Sequence, residues 1–397
     1  MEKATQYELQ LARRMSRLGT ETAFEVLNKA RALERQGKSI IHLEIGEPDF
    51  DTPANVIDAG VDAMRKGWTH YGPSAGLPDL RQALAEYVSR TRGVKVTSEE
   101  VVVVPGGKPI IFFTMLALID EGDEVIYPSP GFPIYESMIH YVGGRAVPIH
   151  LKEERDFSLD VNELASLIND RTRLIVLNSP QNPTGGVLER RDIEQIAEAI
   201  GDRNIMVLSD EIYSRLLFDG GQHFSIMSVP GMQERTILLD GFSKTYAMTG
   251  WRMGYGVMRP DLAAHMTRLM TNSNSCTASF TQIAGIEAIR GDQSSVDHMR
   301  DQFQSRRNMF FAGLNKIKGF SCRMPKGAFY VFPNIKQTGW KSKPLADALL
   351  EQAGVAALSG TAFGEFGEGY LRFSVANSIE NLQQALDRLD QWTKKNL

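Results

Sequence analysis

The sequence predicts an α/β protein: a mostly parallel central sheet flanked by helices, joined to a smaller α+β domain. Three observations carry this. Short apolar runs rich in β-branched residues recur at 101–104, 124–127, 174–177, 205–208 and 236–239. None of them alternates strictly between apolar and polar, which is how strands buried on both faces read. Helical patterns lie between them, and the later ones are spaced by roughly 30 residues, the length of a βαβ unit.

A chain of 397 residues with 42% hydrophobic content is too long for one simple core. The pattern divides it into an N-terminal segment (1–53) that packs with the smaller domain, a large domain (54–290) and the small C-terminal domain (291–397). Residues 8–37 read as helical, with Leu9, Leu11, Met15 and Leu18, then Val26, Leu27, Ala30 and Leu33, at helical spacing until Gly37. A short strand at 40–45 runs into the turn-rich loop Gly46-Glu-Pro-Asp-Phe50. The strand–helix rhythm follows, with an apolar helix starting near Pro109. After residue 290 the sequence predicts a long polar helix at 297–316, strands at 328–332 and 370–375, and a closing helix at 379–394.

Composition excludes several function classes. The 44 basic and 48 acidic residues are well mixed and give a net charge of -4, so no basic stripe points to nucleic acid or a membrane surface. Two cysteines, Cys276 and Cys322, make neither a disulfide framework nor a metal cluster. The first residues are polar with no apolar signal core, and no apolar run has the length of a membrane span. The expectation is a cytoplasmic globular protein. H-E-x-x-H and G-x-G-x-x-G motifs are absent. Gly72-Pro-Ser74-Ala-Gly76 matches the serine-hydrolase elbow G-x-S-x-G, but a helix and loop precede it where that motif needs a strand.

The polar residues that follow the strands carry the chemistry. Lys244 lies just past the run 236–239, where ligands of open α/β sheets bind. Desolvation there lowers a lysine's pKa, and a neutral amine is what a Schiff-base lysine supplies. Asp210 follows the strand 205–208. It is either a helix N-cap or a buried carboxylate that needs a cationic partner. Tyr213 lies three residues on, one helical turn away. Asn182 sits in the proline- and glycine-rich loop after 174–177, as an ordinary turn residue or as an amide facing a ligand. Gly106, Gly107 and Lys108 join a strand to a helix start. That is a tight turn or an anion site, since helix N-termini and close backbone approach favour phosphate. Arg372 interrupts a strand-like run, either snorkelling at an edge or clamping a carboxylate.

These segments together resemble the class I aminotransferases of the fold-type I pyridoxal-phosphate enzymes. The resemblance runs along nearly the whole chain and in the family's order. It includes Gly46-Glu-Pro-Asp-Phe50, Tyr71-Gly-Pro-Ser-Ala-Gly76, Gly106-Gly-Lys108, Pro128-Ser-Pro-Gly-Phe132 and Asn182-Pro-Thr-Gly185. Asp210-Glu-Ile-Tyr213, Ser243-Lys244, Gly250-Trp-Arg252, Pro325-Lys-Gly-Ala-Phe-Tyr330 and Arg372 continue it. The Tyr-Ala-Met-Thr-Gly-Trp-Arg segment is similar to the bacterial aspartate and aromatic aminotransferase subgroup.

The resemblance implies a pyridoxal 5'-phosphate cofactor held by Lys244 as a Schiff base, with Lys244 then moving the α-proton. It implies Asp210 on the pyridinium nitrogen, Tyr213 and Asn182 on the phenolic oxygen, and Phe132 stacked on the ring. Gly106, Gly107, Lys108, Ser243 and Arg252 would hold the phosphate, with Tyr71 reaching in from a second subunit of a homodimer with shared active sites. Arg372, the Gly46 backbone and Asn182 would take the substrate α-carboxylate. No metal is implied. Gly241 departs from the family, which often has a phosphate-binding serine three residues before the lysine. The implied activity is ping-pong transfer of an amino group from an L-amino acid to a 2-oxo acid. A β-lyase or a cyclopropane-forming synthase on the same scaffold is the alternative. The residues do not select the amino acid.

Overall fold

The computed structural model describes residues 9–397; the polar segment 1–8, with the first residue of the expected N-terminal helix, lies outside them. A seven-stranded sheet forms the centre. Its strands are β2 (Val101–Val104), β3 (Glu124–Ser129), β4 (Arg145–His150), β5 (Thr172–Asn178), β6 (Met206–Asp210), β7 (Thr236–Gly241) and β8 (Gly254–Val257), after a short β1 (Ile41–His42) elsewhere. The order is β2-β8-β7-β6-β5-β3-β4, and β8 alone runs against the others. All five sequence-predicted strands are present. Two were not read from the sequence. β8, Gly-Tyr-Gly-Val, is half glycine, and β4 is a partly exposed edge strand with polar ends.

Why the central strands show no alternation is now concrete. Side chains of successive strand residues point to opposite faces. Val101 and Val103 pack with Leu238, Tyr255 and Val257 beneath helices α3 (Pro78–Arg92) and α10 (Ser279–Arg290). Val102 and Val104 pack with Val176, Leu208 and Leu239 on the other side, against α4 (Lys108–Leu118), α5 (Ile134–Val142) and α9 (Pro260–Asn274). Each such burial contributes roughly 1.5–3 kcal/mol, so both faces demand apolar residues. Local signals set the helix ends. Pro78 opens α3, and Gly93 closes it in the left-handed region at φ 65°.

The polar helix predicted at 297–316 is α11 (Ser294–Leu314), and the closing helix is α13 (Ile379–Asn396). Between them lie β9 (Tyr330–Val331), β10 (Val355–Ala356), β11 (Leu358–Ser359) and β12 (Leu371–Ser374). Strands β11-β12-β9 form an antiparallel sheet, and β1 pairs in parallel with β10. The predicted strands 328–332 and 40–45 are longer than β9 and β1. α11 and α13 bury Phe303, Phe310, Leu382 and Leu389 in one core with Phe329, Leu371 and Phe373. That core also takes in Ile41 and Leu43 before the Gly46 loop and Tyr213 from the central sheet's edge.

The N-terminal helix is corrected. Only α1 (Ala23–Glu34) is α-helical, with a single 3-10 turn at Arg13–Arg17 before it. Leu9, Leu11, Met15 and Leu18 stand 82, 67, 42 and 39% exposed. The described residues cover the Met15 and Leu18 end of this stripe only in part and leave Leu9 and Leu11 largely bare, and helical propensity alone does not hold a short exposed segment.

Candidate active site

Parallel strands that neighbour one another end on a common edge. Asn178 pairs with Asp210, and Asp210 with Leu239, so β5, β6 and β7 deliver their C-termini side by side. The chain then turns into a four-residue helix, Phe242–Thr245, that carries Lys244. A cavity of about 530 Å³ opens at this edge, within the range of small-molecule sites. Its floor includes Asp210, Ser243 and Lys244. Its walls include Gly107, Lys108 and Phe132 on one side and Gly46, Tyr330 and Arg372 on the other.

Of the charged groups lining this cavity, Glu47 and Arg252 are exposed, and three desolvated ones, Asp210, Lys244 and Arg372, have no ion-pair partner among the described residues. Lys244 Nζ donates to the Gly46 carbonyl. Burial pulls its pKa down to about 8; Glu47 opposes that shift, and Arg372 and Arg252 add to it. Asp210 accepts from the Tyr135 hydroxyl at 2.6 Å and from the Ile212 N–H at 3.2 Å. Burial pushes its carboxyl up to about 6 in spite of those two bonds. Arg372 donates to Asn182 Oδ1 at 3.1 Å and to the Glu44 carbonyl. Its guanidinium lies 4.4 Å from the Tyr330 ring centroid and 5.0 Å from that of Phe363. Its Nε is buried with no hydrogen-bond partner.

The remaining predicted residues fall around these three. Tyr213 lies one turn beyond Asp210, its hydroxyl 2.7 Å from that of Tyr330. Phe132 meets Tyr135 edge to face at 5.7 Å. Gly106 takes φ +83°, and a side-chain carbon there would overlap the Arg252 guanidinium. Arg252 Nη1 also bonds the Thr249 carbonyl at 2.7 Å. Lys108 begins α4, but its ammonium turns across the cavity mouth to Glu21, 2.6 Å away. Tyr71 does not line the cavity and is 88% exposed. Sequence reasoning assigned no role to Tyr135, Tyr330, Glu21 or Glu44. Tyr135 stands one helical turn after Phe132, and Tyr330 closes a quoted motif; Glu21 and Glu44 carry no local signal.

Residues 38–389 match the sequence profile described as "Aminotransferase class I and II". The chain belongs to this family. It is 41% identical to the aspartate aminotransferase of Pyrococcus horikoshii, over 92% of this chain and 93% of that protein. It is 38% identical to the aromatic-amino-acid aminotransferase 2 of Thermococcus litoralis, over 90% and 92%. The solved aspartate aminotransferase from Thermus thermophilus with maleate superposes with a TM-score of 0.93 at 37% identity, covering 97% of this chain and 100% of that one. These relatives carry transamination in their names, not elimination or cyclopropane formation.

Enzymes of this family depend on pyridoxal 5'-phosphate, and the cavity of this aminotransferase fits that group. Asp210 is a buried carboxylate facing an open space without a cation. Lys244 is a half-buried amine with no carboxylate paired to it among the described residues. Gly106 is kept free of side chain where Arg252 and the start of α4 converge. The Gly241 departure has a local cause as well. A side chain at 241 would come within 3.1 Å of Gly254 Cα and Ile212 Cδ1. Ser243 does line the cavity.

Behind the cavity floor lies a second set of charges that is fully paired. Arg92 reaches Glu211 at 2.8 Å and Asp240 at 3.3 Å, and His223 lies 2.8 Å from Glu211. Burial opposes ionisation of Glu211, but His223 and Arg92 hold its pKa below the usual carboxylate range. Replacing Arg92 by Met leaves two buried carboxylates short of a cation. The Arg92→Met protein should lose about 3–5 kcal/mol of stability near neutral pH. Urea unfolding measures this, and the deficit should shrink as pH falls and the carboxyls protonate. An unchanged unfolding midpoint would show that the pair is not needed.

Proposed function

We propose that this aminotransferase works through Lys244, Asp210 and Arg372, three desolvated charges with no counter-ion among the described residues. That single observation carries the reading. Pyridoxal 5'-phosphate, when bound, supplies an aldehyde for Schiff-base formation and a ring that withdraws electrons from the substrate α-carbon. With a pKa near 8, roughly one Lys244 in ten is neutral at pH 7, against roughly one in three thousand for an ordinary lysine. Its Nζ holds the cofactor and moves the α-proton as base and then acid. Asp210 pairs with a cationic ring nitrogen. Tyr213 and Asn182 hydrogen-bond the phenolic oxygen, and Phe132 covers the ring. Gly106, Gly107, Lys108 through its backbone, Ser243 and Arg252 hold the phosphate. Arg372 grips the substrate α-carboxylate, with Asn182 and the Gly46 backbone beside it.

The finer assignments rest on specific features. Lys108 is a second cation on the cavity wall, and the Glu21 carboxylate occupies the place a substrate's distal carboxylate would take. This supports amino donors and oxo acids with a side-chain carboxylate, the class that the aspartate aminotransferase relatives are named for. With the Glu21–Lys108 pair closed, Phe24, Ile111 and Phe132 leave an apolar wall, which supports aromatic side chains as a second class. Exposed Tyr71 and the only partly covered apolar stripe at 9–18 support a homodimer in which Tyr71 reaches the partner's phosphate site. The core that joins Ile41 and Leu43 to α11, α13 and β12 supports the division at about residues 53 and 290. Two unpaired cysteines support a cytoplasmic location.

Lys244→Ala should fold, bind the cofactor without a borohydride-reducible bond, and lose turnover by about 100-fold or more. In the wild type, the rate of cofactor capture by the apo form should rise with pH through a midpoint near 8, because the neutral amine is the nucleophile. A purified protein that is colourless and takes up no pyridoxal phosphate would sink the reading. Lys108→Met should lower kcat/KM for aspartate by about 10- to 100-fold while phenylalanine changes little; equal losses for both would remove Lys108 from side-chain recognition. Light scattering should give a dimer, and a fully active monomer would contradict the shared site.

A further inference from the structure

Two backbone carbonyls, two residues apart, hold two cations of the site. The Glu44 carbonyl accepts from Arg372, and the Gly46 carbonyl accepts from Lys244. What fixes this stretch of chain therefore fixes both. Upstream, it is tied into the smaller core. Leu43 donates to the Ala356 carbonyl at 3.1 Å, and Ser374 donates to the Leu43 carbonyl at 2.7 Å.

The side chains at 42 and 44 are unusual for such a place. Glu44 is completely buried, with Oε1 2.8 Å from His42 Nδ1 and Oε2 without a hydrogen-bond partner. The other ring nitrogen of His42 lies 3.1 Å from Glu34 Oε1 on α1. An imidazole with a carboxylate on each nitrogen must donate from both, so His42 is an imidazolium. Asn377 secures the same residue through its carbonyl at 3.0 Å. A fully buried carboxylate is expensive to keep unless it is paired. An apolar residue would serve packing better at 44; the carboxylate there instead adds a small favourable charge interaction with the buried Arg372 guanidinium.

We propose that His42 and Glu44 are positioning residues: a buried ion pair that fixes the 44–46 backbone so that Arg372 is presented to the substrate α-carboxylate. The inference rests on the reading of Arg372 as the carboxylate clamp. Neither side chain touches substrate or cofactor. The pair acts through the Glu44 carbonyl, which limits where the guanidinium can swing and leaves Nε and the outer N–H groups for the ligand. Every substrate has an α-carboxylate, so the effect is independent of the side chain.

The test uses the cofactor-loaded enzyme and the variants His42→Gln, Glu44→Gln and His42→Arg, with Arg372→Lys as control. KM for aspartate and for phenylalanine, and the inhibition constant of propionate, should all rise about tenfold in His42→Gln and Glu44→Gln, with kcat within about twofold. Cofactor absorbance should be unchanged. His42→Arg, which keeps a cation between the two carboxylates, should restore most of the affinity. Unchanged KM and propionate inhibition in folded, loaded His42→Gln would overturn the proposal. So would a fall in kcat alone, or unfolding of His42→Gln, since the pair would then hold the fold and not the clamp. If Arg372→Lys also leaves propionate inhibition intact, it is the clamp reading itself that fails.

Discussion

Charge that is taken out of water and not given a counter-ion governs this site. Asp210, Lys244 and Arg372 are each desolvated, and each has only dipoles as hydrogen-bond partners: a tyrosine hydroxyl and an amide N–H for the aspartate, a carbonyl for the lysine, a carbonyl and an amide oxygen for the arginine. Dipoles soften the penalty for a buried charge but do not remove it. The penalty shifts the pKa of all three, with the lysine pulled down to about 8, the aspartate pushed up to about 6 and the arginine lowered. A ligand that offers a cation to Asp210 and an anion to Arg372 relieves that strain. Binding to the folded state alone also stabilises it.

The sheet makes this arrangement possible. Three adjacent parallel strands end in register, so Asn182, Asp210 and Lys244 need no long-range luck to meet. Arg372 arrives differently. It sits on β12, whose neighbour β9 carries Tyr330, paired in register opposite Ser374. Tyr330 lies under the Arg372 guanidinium and against the Tyr213 hydroxyl, so one phenol links the second sheet to the edge of the first. The 41–46 segment completes the seam by bonding to both.

How much of this the sequence reveals depends on the range of the contacts. A polar residue straight after a buried β-branched run announces itself, which is why Lys244, Asp210 and Asn182 were legible one strand at a time. Phe132 and Arg252 were legible through the family resemblance. Glu44 was not, because its meaning lies in a contact with Arg372, 328 positions away, and its neighbours in sequence read as an ordinary short strand. The direction of the Lys108 side chain was hidden for the same reason: its partner Glu21 belongs to a segment whose helical periodicity misled. There the apolar spacing was real, but periodicity reports only that a stripe exists, not that the subunit has a surface to bury it.

Consecutive residues at the end of β6 show how sharply the protein separates two uses of a carboxylate. Side chains alternate across a strand. Asp210 faces the cavity and has no cation among the described residues, whereas Glu211 faces away and meets Arg92 and the His223 ring, each at 2.8 Å. Asp240, on the next strand, shares Arg92. Glu211 and Asp240 both push the Asp210 pKa upward. Were they uncompensated, Asp210 would be driven further towards its neutral form and could not meet a cationic ring nitrogen. Arg92, paired with both carboxylates, opposes that field from behind, and with a pKa near 6 Asp210 stays mostly ionised at neutral pH while remaining unpaired. The pairing of the cluster beneath the floor thus limits the like charge felt by the unpaired carboxylate above it.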